Sequence, residues 1–290
     1  TDLAFQRCAQ LEEDVPLEAI APCLAVEPAR LYARLSREVG VAVTDSAAAK
    51  QVLKARRYAR FDRMVEARFT KEVLSRLFEM FRLRQDGEIH RLVTDNADIP
   101  TIYEYITAIA WYRISGCKGD VLEYMNLSLE ADLLPRTHAG GGEADIVWKY
   151  GATDHYPAHT LLIEATLSDG SGQRRMEMEP VSRHLGDYRL AHGDEEAYCV
   201  FTSTNVNYNV ISDFRLRRDM VYYSPDGNHK VKGLKILPLY TEQIADLLEA
   251  EVEYDQVYQL LEQAHRAEEE PREWFERRIA GACRRGGGCR

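Results

Sequence analysis

The sequence predicts an α/β fold, a mixed β-sheet flanked by helices and preceded by an N-terminal helical segment. Three observations lead there. Four short apolar runs bounded by turn residues, at 144–150, 160–167, 197–204 and 233–240, have the length and composition of strands. Apolar residues at helical spacing fill 101–115, 173–192 and 241–264 around them. The first hundred residues carry helical periodicity instead of strand-like runs. The order α-β-β-α-β-β-α is that of a sheet covered by helices.

Composition narrows the classes. With 290 residues, 45% hydrophobic and 29% charged, the chain is of ordinary globular make-up, enough for one large domain or two smaller ones. No run approaches the ~20 apolar residues of a membrane helix, and no signal-peptide pattern opens the chain. A cytoplasmic protein without membrane partners is expected. Cysteines 8, 23, 117, 199, 283 and 289 are scattered without a CxxC pair, as reduced thiols would be. The chain starts at Thr1 instead of Met, which suits a piece of a longer protein.

A net charge of −10 argues against a protein that coats DNA non-specifically. The charge is unevenly spread, however. Between residues 50 and 84 eleven basic side chains face four acids, a local +7. That is the electrostatic footprint a nucleic-acid partner requires.

Within 1–43, Leu17, Ile20, Leu24, Leu31 and Leu35 recur at helical intervals, and two short helices broken at 26–28 suggest a degenerate helix-turn-helix. Its Arg30, Arg34 and Arg37 serve equally as phosphate contacts or as a solvated face. Residues 45–84 read as one or two long helices, with Ser46 as cap and Leu53, Tyr58, Phe61, Val65 and Phe69 as apolar stripe. Lys54, Arg56, Arg57 and Arg60 on this segment are candidate DNA contacts, and a charged linker helix is the alternative. Breaks at 85–88 and 95–100 place a boundary near 95, giving a helical segment 1–95, a core domain 96–270 and a basic, glycine-rich tail 271–290.

Residues 140–179 organise the core. Asp145 opens the first strand run and Glu164 lies in the middle of the second. A carboxylate buried in a β-run costs several kcal/mol unless paired or bound to a cation. Two on adjacent strands suit a hard divalent ion, which takes oxygen ligands and keeps several waters. Acids at strand ends meeting solvent or an arginine are the alternative. Downstream, Gln173 and Glu177 lie four apart, on one face of a helix bent at Pro180. In the last third, Pro238 marks an edge strand and Thr241 caps a helix running to about residue 264.

The segments GGGEADIV, LLIEATLSDGSGQRRMEMEPVSRHL, YCVFTSTNVNYNVISDF and GLKILPLYTEQIADLL, in this order across about residues 100–264, resemble the PD-(D/E)xK nuclease core. More closely they resemble the AlwI-like family of type IIS restriction and nicking endonucleases. The resemblance implies a restriction-endonuclease-like sheet and an Mg²⁺-dependent DNA endonuclease, with Mn²⁺ as substitute, that leaves a 5′-phosphate. By position, Asp145 and Glu164 match the metal-binding pair, joined by the Ala165 carbonyl. Glu177 matches the downstream acid, His184 the histidine after it, and Glu104 the upstream helical glutamate, with Glu123 as competitor. The usual core lysine is Thr166 here, so a cation must come from Lys149, Arg174, Arg175, Arg183 or His184. Arg174 and Arg175 are also candidate DNA contacts. Ala144 stands where the family has proline.

The implied partner is double-stranded DNA. No base-reading element is identifiable, so an N-terminal recognition domain or a second nuclease subunit is expected to supply it. A catalytically inactive nuclease-like DNA-binding module, and a repair or junction nuclease, are the competing readings.

Overall fold

A computed structural model describes residues 27–138, 142–168, 170–193 and 195–284. The first half of the expected helix-turn-helix, Gly140, Gly141 and the last six residues of the basic tail lie outside the described residues. Contacts divide the chain into two compact units, Thr1–Met64 and Val65–Arg290.

In the first unit, α1 (Pro28–Val39) starts on a proline whose missing N–H costs nothing at a helix start. It ends on Gly40, whose φ of 70° suits glycine. The next helix is α2 (Ser46–Arg68). Asp45, not Ser46, caps it: its carboxylate accepts from the Ala48 N–H at 2.8 Å. Tyr32, Val43 and Ala49 form a small core with Leu35, Val39, Ala48 and Val52 around it. Leu53, expected on the apolar stripe, is 54% exposed. Arg34 and Arg56 both pair with Glu38, and Arg30 pairs with Glu27.

The second unit is built on α5 (Ile99–Ile114), whose residues are all buried except Pro100 and Arg113. A helix apolar on all sides belongs at the centre of a domain. Asp98 caps it by accepting from the Thr101 N–H at 2.8 Å. Before it come α3 (Lys71–Arg82) and α4 (Asp86–Leu92), separated at Arg84, which has φ 56°. After it, α6 (Val121–Tyr124) leads into β1 (Leu127–Leu129) and β2 (Pro135–His138), an antiparallel pair of its own.

The main sheet holds β3 (Ile146–Tyr150), β4 (His159–Thr166), β5 (Ala197–Ser203) and β8 (Ile236–Tyr240), in that spatial order. β3 runs antiparallel to β4, while β4–β5 and β5–β8 are parallel. The sheet is therefore mixed, as expected. The two central strands are mostly apolar, and buried throughout apart from the last residue of β4, because helices cover both faces. Tyr103 of α5 bonds Thr202 at 3.1 Å, and Tyr188 donates to Thr160 at 2.9 Å. Thr202 is level with Ala165, an odd number of residues from Thr160, so α5 and the helix carrying Tyr188 lie on opposite faces. Pro238 lies on edge strand β8, where a missing donor is tolerated.

That second helix departs from expectation. The stretch forms α7 (Gly170–Met176) and α8 (Met178–His192), and the break falls at Glu177, not at Pro180. A proline ring clashes with the carbonyl four residues before it, here Met176. The interruption therefore comes one turn upstream. Between β5 and β8 lie α9 (Tyr208–Arg217) and a hairpin of β6 (Val221–Tyr223) and β7 (Lys230–Lys232). The hairpin was not expected; its strands are only three residues long. After β8, the expected single helix is two, α10 (Thr241–Glu249) and α11 (Tyr254–Arg266), divided at Glu251 with φ 53°. Tyr240, not Thr241, occupies the cap, its N–H donating to Gln243 Oε1 at 2.7 Å. The chain continues through α12 (Pro271–Trp274), a π-helical turn (Phe275–Ala280) and α13 (Gly281–Cys283).

Aromatic groups close the far end of β3 and β4. Tyr150 stacks on Tyr254 at 3.6 Å, and the Tyr254 hydroxyl meets His159 Nε2 at 2.7 Å and the Tyr198 hydroxyl at 2.5 Å. Buried phenols are tolerated there because each hydroxyl has a partner. No helix among the described residues is long and apolar enough to cross a membrane.

Phe201 is fully buried on β5, edge-on to Phe214. Phe201→Ala is expected to cost about 3–5 kcal/mol, read as a lower urea midpoint at unchanged m-value; a shift near zero would place the core elsewhere.

Candidate active site

The site forms where β4 ends and β3 begins. The last β3–β4 pair is Ile146 with Ile163. Asp145, one residue earlier, thus comes level with Glu164 just beyond the paired region. Its carboxylate turns across the gap, and Oδ2 accepts from the Ala165 N–H at 2.7 Å. Its own carbonyl accepts from the Asn126 N–H at 2.8 Å, which holds the strand entry. Ala144, the residue in the proline position, is buried.

Glu164 faces α8 and is 8% exposed. Its Oε1 lies 2.7 Å from His184 Nδ1. Glu177 sits at the α7–α8 break, where its Oε1 accepts from the Thr166 hydroxyl at 2.8 Å. Thr166 therefore orients the Glu177 carboxylate. From the other face of the sheet, α5 delivers Glu104, 7% exposed, with Oε2 3.4 Å from His138 Nδ1 at the end of β2. Ligand atoms of Glu104, His138 and Asp145 all lie within 4.8 Å of one another. Glu104, His138, Asp145, Glu164, Ala165, Thr166, Glu177 and His184 line one open cleft of about 570 Å³, along with Arg84 and Arg183.

Electrostatics in the cleft are dominated by crowded acids. Burial pushes the Glu104 carboxyl up to about 9, helped by Asp145, Asp98 and Glu164. Burial and the neighbouring Glu164 push Asp145 up to about 8, against the Ala165 N–H. Burial raises Glu164 as well, opposed by His184. The hydrogen bond to Glu164 raises His184 in turn, against its own burial. A buried group of carboxyls that resists ionisation lacks positive charge. Oxygen donors with one or two imidazoles are the donor set of a hard or borderline divalent cation.

Other candidates lie elsewhere. Glu123 lines a neighbouring groove with Asp120 and Lys149. Gln173 is buried, donating to the carbonyls of Ser168 and Asn205, so it stitches loops together. Arg174 and Arg175 are exposed on α7, outside the cleft lining. Lys54, Arg56, Arg57 and Arg60 belong to the first unit. His138 and Arg84 entered the cleft without being singled out beforehand. The available signal for His138 was a histidine immediately upstream of the glycines that lead to Asp145. Arg84 had none beyond its charge.

The arrangement is a mixed α/β sheet flanked by helices, with carboxyls gathered where its first two strands separate. The chain belongs to the AlwI restriction endonuclease family, whose model matches residues 2–247. Among solved structures it is similar to the small subunit of the heterodimeric restriction endonuclease R.BspD6I, at 18% identity and a TM-score of 0.49, covering 70% of this chain and 97% of that one. No curated protein matches it.

The raised carboxyls set a pH dependence. The folded protein keeps protons on Asp145 and Glu104 up to about 8 and 9, whereas the unfolded chain releases them near 4. Metal-free stability therefore declines as pH rises from about 4 to about 9. Thermal unfolding in EDTA is expected to show that decline, shallower in Asp145→Asn and Glu104→Gln, with Mg²⁺ stabilising the parent more at about pH 8 than at about pH 5. Parallel pH profiles for parent and variants would contradict it.

Proposed function

We propose that this chain, a DNA nuclease by family, is an Mg²⁺-dependent endonuclease that hydrolyses DNA phosphodiesters and leaves 5′-phosphate and 3′-hydroxyl ends. Three carboxyls crowded at the end of β4 and beginning of β3, two of them raised to about 8 and 9, carry this reading.

Asp145 and Glu164, with the Ala165 carbonyl and Glu177, would hold the ion, and Glu104 with His138 would hold a second ion or its waters. The Ala165 N–H already faces Asp145, and the carbonyl of a strand residue points to the same side as its N–H. Bound there, Mg²⁺ neutralises charge on the phosphodiester and acidifies water. His184 aligns the Glu164 carboxylate through its Nδ1 hydrogen bond, a contact that raises the imidazole's pKa. Thr166 keeps the Glu177 carboxylate turned to the cleft. In place of the missing lysine, Arg84 and Arg183 are the cations beside the phosphate.

The catalytic part is assigned to residues 96–270. Lys54, Arg57, Arg60, Arg174 and Arg175 are assigned to DNA backbone contact, and Arg56 to the same once released from Glu38. Choice of sequence falls to a further domain or a partner subunit. Cutting of one strand is the nicking reading; cutting of both at a distance from the recognised site is the type IIS reading.

Plasmid DNA incubated with the protein and Mg²⁺ is expected to be nicked or linearised, and EDTA to abolish this. Because a divalent cation contributes several kcal/mol and each 1.4 kcal/mol is tenfold, Asp145→Asn and Glu164→Gln are expected to lower the rate by about 10³ or more. His184→Ala, acting through Glu164, is expected to lower it by roughly 10–100-fold. Full cleavage by either carboxylate variant would remove the site; DNA binding indifferent to Mg²⁺ without cutting would favour a binding module.

A further inference from the structure

The β6–β7 hairpin lies outside the cleft but is firmly held. Its inner face docks on α8, where Tyr222 covers Gly186 so closely that a Cβ there would meet the ring at 2.5 Å. The Tyr222 hydroxyl donates to Asp187 Oδ1 at 2.8 Å. Arg189, further along α8, donates to the carbonyls of Lys232, at 3.2 Å, and Gly233. The turn is closed by Asp226, which accepts from the Ser224 hydroxyl at 2.5 Å and the Asn228 N–H at 3.1 Å.

The outer face is of another kind. Strand alternation turns Val221, Tyr223, Lys230 and Lys232 outward, all exposed, with Tyr223 opposite Lys230 and Val221 opposite Lys232. Among the described residues neither lysine is paired with an acid. Beside β7 an open trough of about 780 Å³ is lined by Arg189, Lys230, Lys232 and Lys235. Among the described lining residues Glu196 pairs with Lys235 at 2.5 Å, Lys235 also pairs with Glu262 at 2.6 Å, and Glu195 keeps its charge while accepting from the Thr160 hydroxyl at 2.9 Å, so Lys230 and Lys232 carry the unpaired positive charge. Residues 215–235 carry six basic side chains against two acids, in a chain of net charge −10. Two unpaired ammonium groups beside an open trough, with an exposed ring opposite one of them, complement a polyanion whose sugars offer apolar surface.

We propose that the β6–β7 hairpin and the trough along β7 grip the phosphate backbone of duplex DNA next to the scissile phosphate. This rests on the reading of the chain as a DNA nuclease. Helix α8 links the two places, His184 facing the cleft and Arg189 and Gly193 the trough. At 1.5 Å per residue that is roughly 8–14 Å, or roughly two to four base steps of 3.4 Å. The hairpin carries no base-specific arrangement; it positions the duplex.

The test uses the full chain carrying Asp145→Asn, a fluorescein-labelled duplex of mixed sequence, and anisotropy titrations over a salt series. Adding Lys230→Ala with Lys232→Ala is expected to reduce the slope of log affinity against log salt by about 2. In the active chain the same pair is expected to raise KM for plasmid and leave kcat unchanged. An unchanged slope, with cleavage intact in the chain that keeps Asp145, overturns the hairpin's role and spares the nuclease reading. An unchanged slope with altered self-association in sedimentation makes this face a protein interface and overturns the proposal. A chain with Asp145 intact that neither binds nor cuts DNA overturns both.

Discussion

The second unit depends on a repulsion that the fold holds in place. Asp145, Glu164 and Glu104 come from three different segments and share one cleft, and each carboxyl is harder to ionise than in water. Nothing in a hydrophobic core needs such a group. The chain instead spends hydrogen bonds on keeping the acids oriented: an Ala165 N–H on Asp145, a His184 imidazole on Glu164, a Thr166 hydroxyl on Glu177. Each donor is polar but too weak to replace a cation. The result is an aligned set of oxygens whose common field attracts positive charge.

The architecture delivers these groups from both faces of one sheet. Helix α5, buried on all sides, brings Glu104 beneath the strands. Helix α8 brings His184 above them. The short β3–β4 register stops one pair before Asp145, leaving its carboxylate and the Ala165 amide free to meet. Pro180 contributes indirectly. By forbidding a regular hydrogen bond to Met176 it separates α7 from α8, and Glu177 sits at that interruption, where its side chain reaches Thr166.

Charge is partitioned to match. Buried acids gather in the cleft, while basic side chains concentrate at 50–84 and 215–235. A net charge of −10 is thus compatible with a polyanionic substrate, because local fields and not the total decide where a phosphate backbone lies. Arg84 and Arg183 enter the cleft from other segments, and the hydroxyl at 166 takes up the orientation of Glu177.

The amino-acid sequence by itself determined the strand runs, the helical stretches between them and the candidate acids, because alternation, helical spacing and an isolated acid in an apolar run are local signals. It also carried the family, through the order of GGGEADIV, LLIEAT and the segments after them. Only the tertiary structure decided which groups meet. Glu104 over Glu123, His138 beside Glu104, Arg84 at the rim and Gln173 turned away all depend on contacts between residues distant in sequence. Helix breaks were likewise misplaced by a turn or a residue, at Glu177 instead of Pro180 and at Asp45 and Tyr240 instead of Ser46 and Thr241. A cap or a break is settled by where backbone N–H and C=O groups find partners in three dimensions, and spacing along the chain does not carry that information.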